Sequence, residues 1–259
     1  MTEYETIAVD KSGPIVTITL NRPEAANVMN LTFVRELAAI AAHCAFGDAK
    51  VVVLTGAGRF FCAGGDLGDV AAATDRPFRL KEIADSLHRA VSTFSRMDAI
   101  LITAVNGIAA GAGFPLAVIG DLVLAAESAS FTMSYTRVGL SPDGSASYYL
   151  PRLIGIRRTQ ELMLTNRRLG AAEARDWGLV TEVVADDHLR ARAHDLAEQF
   201  ATGPAQANGA IKKLLLTTFS NGLEQQMELE GQLIAQNGGS HDGHEGVDAF
   251  VAKRTPQFS

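Results

Sequence analysis

Three short runs of β-branched and aliphatic residues constrain the architecture: IVTITL at 15–20, VVVLT at 51–55 and ILITAV at 100–105, with DLVLAA at 121–126 close behind. They are almost wholly apolar rather than alternating, so strands built from them need cover on both faces. The helical stretch FVRELAAIAAHCAF at 33–46 separates the first two. Strands alternating with helices predict an α/β fold with a mostly parallel, covered sheet. The opening ETIAVDKSGPIVTITL reads as a hairpin turning at Ser12-Gly13-Pro14.

Between the second and third runs, Leu80, Ile83, Leu87, Val91 and Phe94 share one face of a predicted helix. The preceding DLGDVAAATDRP at 66–77 has weak periodicity and reads either as a surface connection or as a lid over a pocket. After residue 186 four helical stretches follow one another with no further strand: LRARAHDLAEQFA, QANGAIKKLLLTTF, LEQQMELEGQLIAQ and HEGVDAFVAK. We therefore expect a body at 1–195 and a helical region at 196–259 that docks on the body or on a partner subunit.

Two cysteines, Cys44 and Cys62, are too few for a disulfide scaffold, which suggests a reducing, cytoplasmic setting. The N-terminal MTEYETIAVDKSG has neither the basic nor the apolar region of a signal peptide, and no apolar run nears the roughly 18 residues of a membrane span. A net charge of −6 offers no general attraction to nucleic acid or anionic membranes.

Two glycine-rich segments each follow an apolar strand: VVVLTGAGRFFCAGGDL at 51–67 and AVNGIAAGAGFPLAV at 104–118. Where a chain leaves a strand and enters a helix, unpaired N–H groups point outward and favour negative charge. Two such places that converge could hold one oxygen between two donors, which is an oxyanion hole. The dinucleotide pattern G-x-G-x-x-G fails because Leu116 stands where its third glycine belongs, and no phosphate-loop motif occurs. GLSPDGS at 139–145 pins Asp143 between Pro142 and Gly144, a stiff turn able to aim a carboxylate.

Taken together, AGGDL at 63–67, AVNGIAAGAG at 104–113, DLVLAAESASF, GLSPDGSASYYLPRLIG and LTNRRLGAAEARDWGLVTEVV resemble the crotonase superfamily of enoyl-CoA hydratases and isomerases. The N-terminal LNRPEAANVMN fits the same pattern, so the likeness covers nearly the whole chain. It implies a spiral of ββα turns with a C-terminal helical region that builds homotrimers, often stacked as dimers of trimers. It also implies an acyl-CoA thioester ligand, with coenzyme A arriving as part of the substrate and no separate cofactor. By motif position the thioester oxygen would sit between the N–H groups of Gly65 and Ala112, beside Gly64 and Gly111. Arg22, Ala25, Ala63, Asp66 and Leu67 would lie along the coenzyme A arm, while Phe250 and Lys253 would reach a neighbouring subunit's coenzyme A.

The resemblance also bears on the reaction. Hydratases of this family use two glutamates, and the matching positions here are Pro115 and Tyr135. Proline offers no acid or base, and an unperturbed phenol, with a pKa of about 10, is a poor base near neutrality. The remaining carboxylate, Asp143, matches the single acid of members that shift a double bond, 3,2-enoyl-CoA isomerases and epoxyphenylacetyl-CoA isomerases among them. The expected activity is an enoyl-CoA isomerase with Asp143 as proton shuttle. The alternatives are an unusual hydratase, lyase or hydrolase in which Tyr135 shares the work, and a crotonase-fold protein that binds acyl-CoA without turnover. No metal site is expected from His241 and His244, and Cys62 reads as a packed thiol. Phe78, Phe114, Phe131, Tyr148 and Tyr149 are candidate aromatic linings for an acyl pocket or members of the core.

Overall fold

The computed structural model describes residues 4–259; residues 1–3 lie outside them. The opening forms the hairpin β1 (Ile7–Ser12) and β2 (Ile15–Leu20), paired antiparallel around Gly13. Helix α1 (Leu31–Phe46) follows, started by Asn30, whose side chain accepts the Phe33 N–H.

Three successive units then repeat one pattern, a long strand, a short strand and a helix. The first has β3 (Val51–Gly56), β4 (Phe60–Cys62), the short α2 (Leu67–Ala72) and α3 (Arg76–Arg96). The second has β5 (Ile100–Val105), β6 (Ile108–Ala110) and α4 (Gly113–Val118). The third has β7 (Leu122–Ala126), β8 (Ser130–Thr132) and α5 (Ala146–Thr165). β9 (Leu169–Gly170), α6 (Ala171–Asp176) and β10 (Glu182–Val184) complete the body.

The long strands assemble one sheet in the order β1-β2-β3-β5-β7-β10, parallel from β2 onward. Every residue of β3 and β5 is buried, as their unbroken apolar sequences require. The short strands stack as a second sheet, β4-β6-β8-β9, with only β9 antiparallel. Each unit thus adds one strand to each sheet, the ββα spiral implied by the resemblance. The second sheet is the part that periodicity could not reveal, because strands of two or three residues are too short to alternate.

The four helical stretches of the C-terminal part are α7 (Leu189–Ala201), α8 (Ala205–Thr217), α9 (Leu223–Gly238) and α10 (His241–Val251). α7 spans the boundary drawn at 195/196 and buries Leu189, Ala193, Leu196 and Ala197 against the first sheet. α8 is pinned to the body by Lys212, whose Nζ meets Asp121 Oδ2 at 2.8 Å and donates to the carbonyls of Ala99 and Phe94 at 2.7 and 3.1 Å. No residue of α9 is buried in the single chain, and Leu215, Phe219, Leu223, Ile234 and Phe250 expose well over half of their surface. Among the described residues no helix is long and apolar enough to cross a membrane.

Candidate active site

The spiral brings the ends of two successive units together. After β4 the chain runs through Ala63-Gly64-Gly65, and after β6 through Gly111-Ala112. The two loops touch backbone to backbone. A Cβ at Gly64, whose φ is +97°, would lie 2.9 Å from the Ala110 carbonyl and 3.3 Å from the Ala112 nitrogen. Only glycine allows this approach.

The orientation of the two amides follows from what the carbonyls of the same peptide groups do. Gly64 O accepts from Met29 N at 2.8 Å, and Gly111 O accepts from Phe114 N at 3.1 Å. In a trans peptide the N–H points opposite to the C=O, so both the Gly65 and the Ala112 N–H turn away from those bonds. Neither has an acceptor among the described residues. The neighbouring amides of Ala63, Asp66 and Gly111 are all taken, by Ala26 O, Met29 O and Thr132 O. Two free donors therefore border one cleft of about 160 Å³, which Gly65 and Ala112 both line. A site of this kind stabilises an oxygen on which negative charge develops.

The third element is the turn before α5. Gly144, at φ +60°, packs so tightly that a Cβ would meet Pro115 Cγ at 3.1 Å, with the Ala112 carbonyl at 3.8 Å. The turn thereby seats Asp143 beside the second oxyanion loop. Asp143 is half-buried and is the only carboxylate in the cleft lining among the described residues. Its Oδ1 accepts the Tyr135 hydroxyl at 2.5 Å, while its Oδ2 carries no hydrogen bond among the described residues. Burial first, and then the adjacent Asp143 charge, push the Tyr135 phenol far above its ordinary value. Tyr135 is therefore a fixed hydrogen-bond donor. Pro115 lies buried in α4 with its ring against the Gly144 turn.

Of the residues singled out from the sequence, Ala63, Gly65, Leu67, Gly111, Ala112, Tyr135 and Asp143 line this one cleft, and Gly64 braces it. Arg22 and Asp66 meet at its edge as an ion pair of 3.1 Å, and Arg22 also donates to Val28 O at 2.6 Å. Asp66 caps α2 by accepting the Asp69 N–H. Ala25 sits in the 3-10 turn Pro23–Ala25. Phe250 and Lys253 are exposed at the end of α10 and just after it, outside the cleft lining. Cys62 is fully buried, its thiol pushed up to about 12 by burial.

Three further lining residues come from α3. Leu80, Ile83 and Leu87, read from periodicity as sharing one helix face, line the cleft with apolar surface, as do Val70, Val138 and Leu140. The aromatic candidates do not line it. Phe114 and Phe131 are buried against each other at 5.2 Å, Phe78 is exposed, and Tyr148 and Tyr149 border other grooves. One residue of the site, His88, reads from the sequence only as a solvated side chain near the exposed side of an amphipathic helix. His88, on the solvent-facing side of α3, accepts the Gly144 N–H at its Nε2, 3.1 Å away. No sequence signal links it to a turn 56 residues later.

Comparison with known proteins agrees with this geometry. Residues 10–259 match the family described as enoyl-CoA hydratase/isomerase. A Rhodobacter capsulatus protein named "Probable enoyl-CoA hydratase" is 42% identical over 99% of this chain and 98% of its own. The 1,2-epoxyphenylacetyl-CoA isomerase of Escherichia coli K12 is 38% identical over 100% of this chain and 99% of its own. The crystal structure of an enoyl-CoA hydratase from Polaromonas sp. JS666 superposes with a TM-score of 0.93 at 34% identity, covering 98% of this chain and 99% of that one. Fold, paired amides and sequence converge: the chain belongs to the enoyl-CoA hydratase/isomerase family and has the crotonase fold.

Proposed function

We propose that this protein is an acyl-CoA isomerase that shifts a carbon–carbon double bond. The observation that supports this reading is the lone carboxylate of the cleft, Asp143, beside two free backbone donors. The thioester oxygen accepts from Gly65 and Ala112, which lowers the barrier to removing the C2 proton; one such donor is worth about 3–4 kcal/mol. Asp143 Oδ2 takes the C2 proton of a 3-enoyl thioester, and the electrons pass into a dienolate held by the two amides. The same carboxylate returns the proton at C4, leaving the 2,3 double bond. One base suffices because the proton leaves and returns on one face.

Hydration needs a second group to position and deprotonate water. The position from which hydratases of the family supply it carries Pro115, buried here, and Tyr135 keeps its proton. That favours isomerisation over hydration. Arg22, Ala25, Ala63, Asp66 and Leu67 lie along the coenzyme A arm, which enters with the substrate. The protein works in the cytoplasm as a homotrimer or a dimer of trimers, joined through the exposed apolar faces of its C-terminal helices, where Phe250 and Lys253 approach the neighbour's coenzyme A. The helical region at 196–259 carries that assembly, and the body at 1–195 carries the chemistry.

The test uses oxygen-18 water. Purified protein incubated with a 3-enoyl-CoA should yield the 2-enoyl isomer with no solvent oxygen in the acyl group. A 3-hydroxyacyl product carrying the label would show hydration instead. Binding without any change in the acyl group, across linear and aromatic-ring substrates, would leave a binding protein.

A further inference from the structure

Asp143 can work as a base only if its carboxylate is held at one place relative to the two amides. Its side chain is held from one direction by the Tyr135 hydroxyl on Oδ1. Its backbone lies in a turn whose bonds are incomplete. Ala146 N donates to Asp143 O at 3.1 Å, but the Gly144 N–H, in the peptide joined to Asp143, has no backbone acceptor. An uncompensated amide would be free to swing, and with it the Cα that carries the carboxylate.

The acceptor is His88. α3 buries Leu87 under the turn, where its Cδ2 lies 3.4 Å from the position a Gly144 Cβ would take. The next residue, His88, then reaches the outer side of the turn, and its Nε2 lies 3.1 Å from Gly144 N. A ring nitrogen that accepts from an N–H carries no proton, so the neutral imidazole with its hydrogen on Nδ1 is the form that fits. We propose that His88 is a positioning residue of the active site, which fixes the Asp143–Gly144 peptide and hence the aim of the Asp143 carboxylate. Tyr135 and His88 thus clamp the base from two elements, one on the side chain and one on the backbone. Neither touches the carbons that react.

This rests on the isomerase reading for its rate effects, and the test separates the two. In protein labelled with nitrogen-15 at its histidines, the His88 signal, identified by its absence from His88→Ala, should show an unprotonated Nε2 and a protonated Nδ1 near neutral pH. The opposite tautomer would overturn the proposal whatever the enzyme turns over. In kinetics, His88→Ala should lower kcat about tenfold to a hundredfold, the range a small misplacement of a catalytic group costs. The dissociation constant of a saturated, unreactive acyl-CoA should stay within about twofold, because the amides that hold the thioester are untouched. His88→Gln, whose amide oxygen can accept the same N–H, should recover most of the rate, and His88→Lys, which only donates, should not. Equal kcat in His88→Ala and wild type, or a rate loss matched by an equal loss of affinity, would overturn it. A wild-type protein that shows the expected tautomer but leaves 3-enoyl-CoA unchanged would instead count against the isomerase reading alone.

Discussion

In the proposed reaction a carboxylate, a phenol and two peptide N–H groups carry the chemistry, and the side chains can be tested separately. Tyr135→Phe removes the hydroxyl from Asp143 Oδ1. A hydrogen bond to a charged group contributes about 1.5–3 kcal/mol, so kcat should fall roughly tenfold to a hundredfold with little change in acyl-CoA affinity. The pH profile supplies a second check. Because burial and the Asp143 charge raise the Tyr135 pKa, the phenol is neutral throughout the working range and stays so as pH rises through the ordinary value of about 10. The wild-type rate should therefore show no rise with pH from a phenolate base; such a rise, abolished in Tyr135→Phe, would make Tyr135 a base after all. Turn chemistry and strand-to-helix glycines marked the segments in the sequence, and the resemblance to the crotonase superfamily singled out Asp143, Gly65 and Ala112 within them. His88 was not, because its partner is brought to it only by the packing of α3 beneath α5's first turn.

At the level of elements, the loops after β4 and β6 and the turn before α5 behave as one block, since each leans on the next. Gly144→Ala puts a Cβ 3.1 Å from Pro115 Cγ at a φ of +60°. The turn would have to move, so activity should fall far more than the roughly 1–2 kcal/mol of stability such a backbone conflict costs. Measuring the unfolding midpoint in denaturant beside kcat separates the two effects. Pro115→Glu asks whether a second acid is the only missing part of a hydratase. Pro115 is buried against the same turn, so the change should destabilise the fold by roughly 2–4 kcal/mol and should not create hydration. A stable variant that hydrates 2-enoyl-CoA would refute this view of the turn. The long strands were readable as continuous apolar runs. The second sheet was not, because its short strands are defined by pairing alone; the apolar face of α3 was readable, but not that Leu80, Ile83 and Leu87 on it line the cleft.

For the molecule as a whole, the C-terminal helices raise the question of what covers them. No residue of α9 is fully buried in the single chain, and Leu215, Leu223, Met227, Ile234, Val247 and Phe250 of α8 to α10 are exposed, as is Phe219. Large exposed apolar patches mark protein contacts. Light scattering should give a mass of three or six chains, and Phe219→Asp combined with Ile234→Asp should lower it toward one. A monomeric wild type would contradict the assembly. Lys212 anchors this region through a contact made within one chain, so Lys212→Ala should cost about 3–5 kcal/mol of stability by leaving Asp121 without its partner. Helical periodicity disclosed the four helices; the buried lysine gave no local sign, since its carbonyl acceptors lie more than a hundred residues away.

The most direct test of Asp143 as the shuttling base follows C2–H and C4–H by NMR while wild type and Asp143→Asn act on a 3-enoyl-CoA in deuterated water. Double-bond migration is expected in the wild type, C2 losing one hydrogen and C4 gaining either that proton or a deuteron exchanged onto Asp143, with the rate lowered roughly a hundredfold or more in Asp143→Asn and acyl-CoA binding retained. Migration at an undiminished rate in the variant would show that another group moves the proton, and the role given to Asp143 would fail.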